Sequence, residues 1–178
     1  MPQAANHVKW YLAKAQKELE ECKQQGKRPK HRGLIQIKPN NEEAKKHLEK
    51  AEHYIQATEF LKKGEFADIS AGTLFYSMYH CFLAIACKFG YESKNQTCTV
   101  ALIELLLEEG KINLDRKFVD LLKPDEIEKK QAGFVIDIRE EYTYGAEVSI
   151  KDKVKIEELI NTSKELIDRT KDIVFGKE

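Results

Sequence analysis

Apolar residues along this chain recur at helical spacing almost from end to end. Between residues 4 and 25, Val8, Leu12, Ala15, Leu19 and Cys22 alternate at steps of four and three, which places them on one stripe of a helix. Ala44, Leu48, Ala51, Ile55 and Thr58 repeat the pattern in a second helix. Asn40 or Asn41 supplies its cap, Glu42 and Glu43 favour the dipole in its first turn, and Gly64 ends it. A third segment, residues 67–89, is apolar on nearly every side and stops at Gly90; a helix of that kind belongs in the middle of a bundle. "TVALIELLLEEG" predicts a fourth helix closing at Gly110. After a short piece around "DRKFVDLL", Pro124 stands at a first helical position for a helix running to about Tyr142, with Gly145 just past its end. The last helix carries Ile156, Leu159, Ile160, Ser163, Ile167 and Thr170 on one face, with Lys and Glu opposite.

Strand-like alternation is confined to "GLIQIK", and "YESKNQT" reads as a polar loop. "GKRPKHRGLIQIKPN" is punctuated by Gly26, Pro29, Gly33 and Pro39 and reads as a linker, so the first helix stands as an arm. The expected fold is all-α: an up-and-down helical bundle over residues 41–178, preceded by an N-terminal helical arm and basic linker over residues 1–40.

Charge narrows the choice of partner. The 178 residues carry 30 Lys+Arg against 30 Asp+Glu, so the net charge is zero and only a local patch argues for nucleic acid. The four cysteines form no CxxC pair and sit among apolar residues on expected helices, which points to reduced thiols in a cytosolic protein. No apolar run approaches the roughly 20 residues that cross a bilayer. "MPQAANHVKW" lacks the apolar core of a signal peptide. The expectation is a soluble, cytoplasmic protein with no membrane partner.

Most catalytic chemistry is missing. There is no GxxxxGK or GxGxxG phosphate loop, no HExxH, no GxSxG elbow and no Cys/His cluster at metal-ligand spacing. The five histidines are scattered at 7, 31, 47, 53 and 80, and His47 and His53 point to different sides of their helix. No metal and no cofactor is expected. Carboxylates are interleaved with lysines, as in "NEEAKKHLEK", the pattern of a solvated helix face.

Three segments stand out. In "GFVIDIREEYTYG", Phe134, Val135, Ile138 and Tyr142 make an apolar face, with Arg139 beside it near a helix end that carries Tyr142 and Tyr144. The guanidinium fork grips phosphates bidentately and tyrosine rings stack on bases; the alternative is an ion pair with Asp137 or Glu141, or bonds to the helix-end carbonyls. In "LFYSMYHCFLAIACKFG", His80 lies between aromatic residues, one turn from Tyr76 and next to Tyr79. It is either a core residue with a local hydrogen-bond partner or the lining of a cleft. The linker "KQQGKRPKHRG" concentrates Lys23, Lys27, Arg28, Lys30, His31 and Arg32. It either tracks a phosphate backbone or is a solvated connector balanced by "ELEEC".

"FADISAGTLFYSMYHCFLAIACKFGYESK" resembles the central helix of the HEPN domain family (higher-eukaryote and prokaryote nucleotide-binding). Phe75, Tyr76, Met78, Tyr79, His80, Gly90 and Tyr91 fit the run typical of its small prokaryotic branch, with Ser77 where Ala is common. "AEHYIQATEFLKKGEF" is similar to the family's preceding helix and "LIELLLEEGKI" to the following one. "DIREEYTYG" resembles the closing Arg-x-x-x-x-Tyr-Gly signature through Arg139, Tyr144 and Gly145. The resemblance runs from residue 42 to residue 173.

The resemblance implies a bundle that forms a two-fold dimer, with the arginine in a cleft at the interface, and an RNA-cleaving or nucleotide-binding role beside a small nucleotidyltransferase partner. In the ribonuclease members a catalytic histidine follows the arginine after four to six residues. Here Tyr144 holds the first such position, Gly145 and Ala146 follow, and no histidine occurs after His80. The usual acid/base for cleaving RNA at neutral pH is therefore absent. The expected function is non-catalytic nucleotide or RNA binding through Arg139 and Tyr144, with Tyr142, His80, Tyr76 and Tyr79 as further ligand-binding residues. The alternatives are a divergent metal-independent ribonuclease, and a purely structural interaction bundle.

Overall fold

The central hairpin starts at Asn40, whose side-chain oxygen accepts the Glu43 N–H at 3.0 Å and so caps α2 (Asn41–Lys63). The structure, a computed structural model, describes residues 3–64, 66–123, 135–146 and 153–176. The buried residues of α2 are Ala44, Leu48, Ala51, Ile55 and Thr58, the stripe expected from spacing. α3 (Ala67–Lys88) returns against it, and α7 (Lys153–Phe175) packs on both. Small side chains bring these three helices together. The Ser163 hydroxyl donates to Ser77 Oγ at 3.1 Å, and Ser77 donates to the Ala51 carbonyl at 2.9 Å. Thr58 and Thr73 share a bond of 2.8 Å. Each hydroxyl buried here therefore has a partner, as a dry interface requires.

On the other flank of α3 lie α6 (Val135–Tyr144) and α4 (Gln96–Glu108), with α5 (Arg116–Leu122) between them. Asn95 caps α4 by accepting the Cys98 N–H. α1 (Gln3–Gln24) docks on α4, and Ala4 and Val8 enter the main core with Phe82, Leu102 and Phe118. Among the described residues the architecture is an all-α, up-and-down helical bundle with an N-terminal helix.

The second half of the linker is zipped onto the bundle, while Lys27, Arg28, Lys30 and Arg32 of its basic half stay exposed. β1 (Leu34–Gln36) pairs antiparallel with β2 (Tyr91–Ser93), Leu34 opposite Ser93. The segment expected as a polar loop thus opens with a strand, because the end of α3 needs partners. The Ile37 N–H reaches the Gly90 carbonyl at 2.8 Å and the Asn40 N–H reaches Cys87 at 3.0 Å. Gly90 turns the chain at φ +80°, and a Cβ there would lie 2.8 Å from the Ile37 carbonyl, so only glycine fits.

Two further expectations meet the structure here. Residues 124–134, where Pro124 was to open a helix, lie outside the described residues; α6 is described from Val135 and ends two residues beyond Tyr142. Contrary to the reading that no apolar run approaches a membrane span, Asp68–Lys88 of α3 is long and apolar enough by length and composition. Its serines, threonine and tyrosines interrupt the run without charging it. Most of it lies buried among its neighbours, which makes it the core helix of the bundle. All four cysteines are free thiols. Burial pushes Cys81 up to about 12, and Cys87 and Cys98 up to about 11, so these thiols stay protonated.

Candidate functional site

Five aromatic rings and two cations run in a row from α6 across α3 to α2, with Phe75 and His80 buried beneath the surface. Arg139 of α6 holds its guanidinium 4.4 Å above the centre of the Phe75 ring, and one nitrogen meets Glu140 at 3.2 Å. Phe75 meets Tyr76 edge-on at 5.2 Å between ring centres, and Tyr76 stacks on Tyr54 of α2 at 5.5 Å. Tyr54 stacks in turn on His80 at 5.5 Å, with Lys50 Nζ 6.0 Å from the Tyr54 ring centre. The wall ends in a pair of imidazoles: His80 Nδ1 lies 2.9 Å from His47 Nδ1. In the middle of the wall Tyr76 is 43% exposed.

The histidine pair has one workable arrangement. Its ring centres are only 5.1 Å apart while the two nitrogens are 2.9 Å apart, so the nitrogens point nearly straight at each other. An ion bound at about 2 Å from each would have to push the rings apart, whereas a single shared proton fits. One ring donates from Nδ1 and the other accepts. Burial, then His47 and Lys50, lowers His80 to about 4, and burial lowers His47 despite Glu43. Both are neutral at pH 7. Among the described residues, no group of three or more His, Cys, Asp or Glu side chains is placed to hold a metal.

Of the residues singled out in the sequence, Arg139, Tyr76 and His80 come together on this wall. Tyr79 lies behind it, stacked on Phe75 at 5.8 Å with its hydroxyl 3.2 Å from Thr99. Burial raises its pKa, so it remains a phenol. Tyr142 is half-buried against the core, and Tyr144, the last residue of α6, is 83% exposed. Arg139 and Tyr144 do not share a side of α6, because five residues turn a helix through about 140°. His80 does have a partner, but on α2 and 33 positions away rather than local. The sequence reading missed His47, Tyr54 and Phe75 as members of the wall. A signal existed: in a hairpin turning near Gly64, residues about equally far on either side meet. His47 faces His80, Ala51 faces Ser77, and Tyr54 faces Tyr76.

Residues 44–173, most of the chain and all three helices of the wall, match the HEPN domain family. The chain belongs to the HEPN domain family. No curated protein sequence matches it. The HEPN match leaves α1, the linker and β1 outside, so the wall belongs to the HEPN body and the docked arm is an addition to it.

Proposed function

We propose that this HEPN protein binds a nucleotide or an RNA segment without cleaving it, on the wall formed by Arg139, Phe75, Tyr76 and Tyr54. One observation carries the reading: a guanidinium seated over Phe75 beside an exposed tyrosine face. The ring holds the cation in place, Glu140 takes one N–H, and the other donors are left for phosphate oxygens, while Tyr76 offers a surface on which a base stacks. Lys50 at the far end of the wall adds a second positive charge. Tyr144, in solvent at the end of α6, reaches the ligand from outside the wall or is itself modified by a partner.

The absence of catalysis rests on the acid/base supply. No histidine follows His80 in the chain, and the His47–His80 pair shares its proton and stays neutral at pH 7. The protein works in the cytoplasm as a homodimer and as partner to a small nucleotidyltransferase, in a toxin–antitoxin-like pair. Exposed Phe60 of α2, Phe66 in the turn and Ile69 of α3 lie at the hairpin end and give a second copy apolar surface to cover.

Anisotropy of a labelled single-stranded oligoribonucleotide tests the wall. Arg139→Ala is expected to weaken binding about tenfold, equivalent to about 1.4 kcal/mol. Unchanged affinity would remove the wall from the reading. Metal-free cleavage of RNA by the purified protein, lost in both Arg139→Ala and His80→Ala, would replace it with the ribonuclease.

A further inference from the structure

Where the arm docks on the HEPN body, a cavity of about 530 Å³ opens between α1, the linker and the first turn of α4. It is of the size that small ligands fill. We infer that this cavity is a second binding site, separate from the wall, for a small phosphate-bearing anion held by Lys14 and Arg32.

Among the described residues, two charges at this cavity lack a carboxylate partner. Lys94, Lys111, Lys117 and Lys171, for example, each lie 2.7–3.0 Å from a carboxylate. Lys14 would ordinarily pair with Glu18, one turn along α1. Glu18 instead accepts the Arg32 backbone N–H at 2.8 Å, and the Lys14 ammonium lies 5.1 Å from the centre of the exposed Trp10 ring. Among the described residues, neither Lys14 nor the Arg32 guanidinium has a carboxylate within ion-pair distance. Both line the cavity.

The remaining polar lining favours an anion too. Tyr11 and Thr97 contribute hydroxyls; burial raises the Tyr11 pKa, so its phenol stays a donor. The floor is Ala15, Gly33 and the protonated thiol of Cys98, a small apolar surface for the body of an ester. A Cβ on Gly33 would touch Ala15 at 3.7 Å and Cys98 at 3.8 Å, so a larger residue there would fill the floor. Glu18 is the one carboxylate in the lining, and its charge opposes an anion while its bond to the Arg32 amide sets the position of that residue. Only folding unites the parts: Lys14 and Arg32 are 18 positions apart, and Thr97 belongs to the HEPN body.

The test is calorimetric titration of the full chain with inorganic phosphate, uridine monophosphate and glucose 6-phosphate, with uridine and glucose as uncharged controls. At least one phosphate probe is expected to bind, and which of them binds tightest separates free phosphate from an ester as the source. Lys14→Gln with Arg32→Gln should weaken that binding tenfold or more; both residues are exposed, so the fold survives the change. Glu18→Gln should tighten it. Arg139→Ala should leave it unchanged, which keeps this site distinct from the wall whichever way the oligoribonucleotide experiment falls. No heat with any phosphate probe at millimolar concentration overturns the inference. So does equal binding of the uncharged controls, or a loss confined to Arg139→Ala.

Discussion

The two flanks of α3 use opposite kinds of side chain. Toward α7 and the inner side of α2 it presents Ser77, Cys81 and Ala84, which meet Ser163, Thr170, Ala51 and Val174. Toward α6 and the outer edge of α2 it presents Phe75, Tyr76, Tyr79 and His80. Small groups let backbones approach closely, and a hydroxyl relay fixes how the helices slide along each other, since every displaced donor would be left buried without an acceptor. Rings hold helices further apart, and here the Tyr76 ring is left substantially uncovered. One flank thus sets the fold, and the other leaves Tyr76 open to the proposed ligand.

The sharpest way to break this contrast is to place a large residue on the small flank. Ser77→Leu adds bulk between three helices and removes the donor to Ala51 together with the acceptor for Ser163. A loss of about 3 kcal/mol in urea unfolding is expected, against less than about 1 kcal/mol for the neighbouring Tyr76→Ala. Comparable losses for the two would mean the flanks do not differ in role.

Acid probes the boundary between the flanks, where His47 meets His80. The folded values lie below the ordinary histidine value of 6.5, with His80 at about 4. The unfolded chain therefore takes up protons first. The contribution is fully present above about pH 6.5 and is lost as pH falls toward 4. Second protonation of the pair would also set two N–H groups head-on. Allowing for the partial exposure of His47, a loss on the order of 2 kcal/mol is expected over that interval. The Glu43 carboxylate and the ammonium of Lys50 pull on His47 in opposite directions. Stability measured at pH 6.5 and 4.5 should fall less in His80→Phe than in the native chain; equal slopes in the two would take the imidazoles out of the account.

The small flank was far more legible in the sequence than the ring flank. Ala44, Leu48, Ala51, Ile55 and Thr58 follow from the 3.6-residue period alone, as do Ile156, Leu159, Ile160, Ser163, Ile167 and Thr170, all buried in α7. The wall needs contacts between helices, which periodicity does not specify. Arg139 looked like a partner for Tyr144 because both sit in one motif, yet the helix turns them apart and sets Arg139 on Phe75. β2 was hidden for a similar reason: three residues carry no period of their own, and Tyr91–Ser93 becomes a strand only because the linker returns beside it. The docking of α1 was encoded by Val8 and Ala15, but Gly26 and Pro29 following them read equally well as the hinge of a detached arm.

The smallest expected effect is also the most specific to the ring flank. Tyr76 is stacked on Tyr54 and half open to solvent, and its hydroxyl is not required for that stacking. Tyr76→Phe keeps the ring and should leave oligoribonucleotide affinity within about twofold. Tyr76→Ala removes the face on which a base lies and should weaken binding by about 1 kcal/mol, roughly fivefold. The thermal midpoint should move little in either variant, since the ring is already substantially exposed. Affinity that falls equally in both would assign the role to the hydroxyl and not to stacking. The wall would then act as a set of hydrogen-bond donors around Arg139, and the exposed aromatic surface would be left for a second copy of the chain to cover.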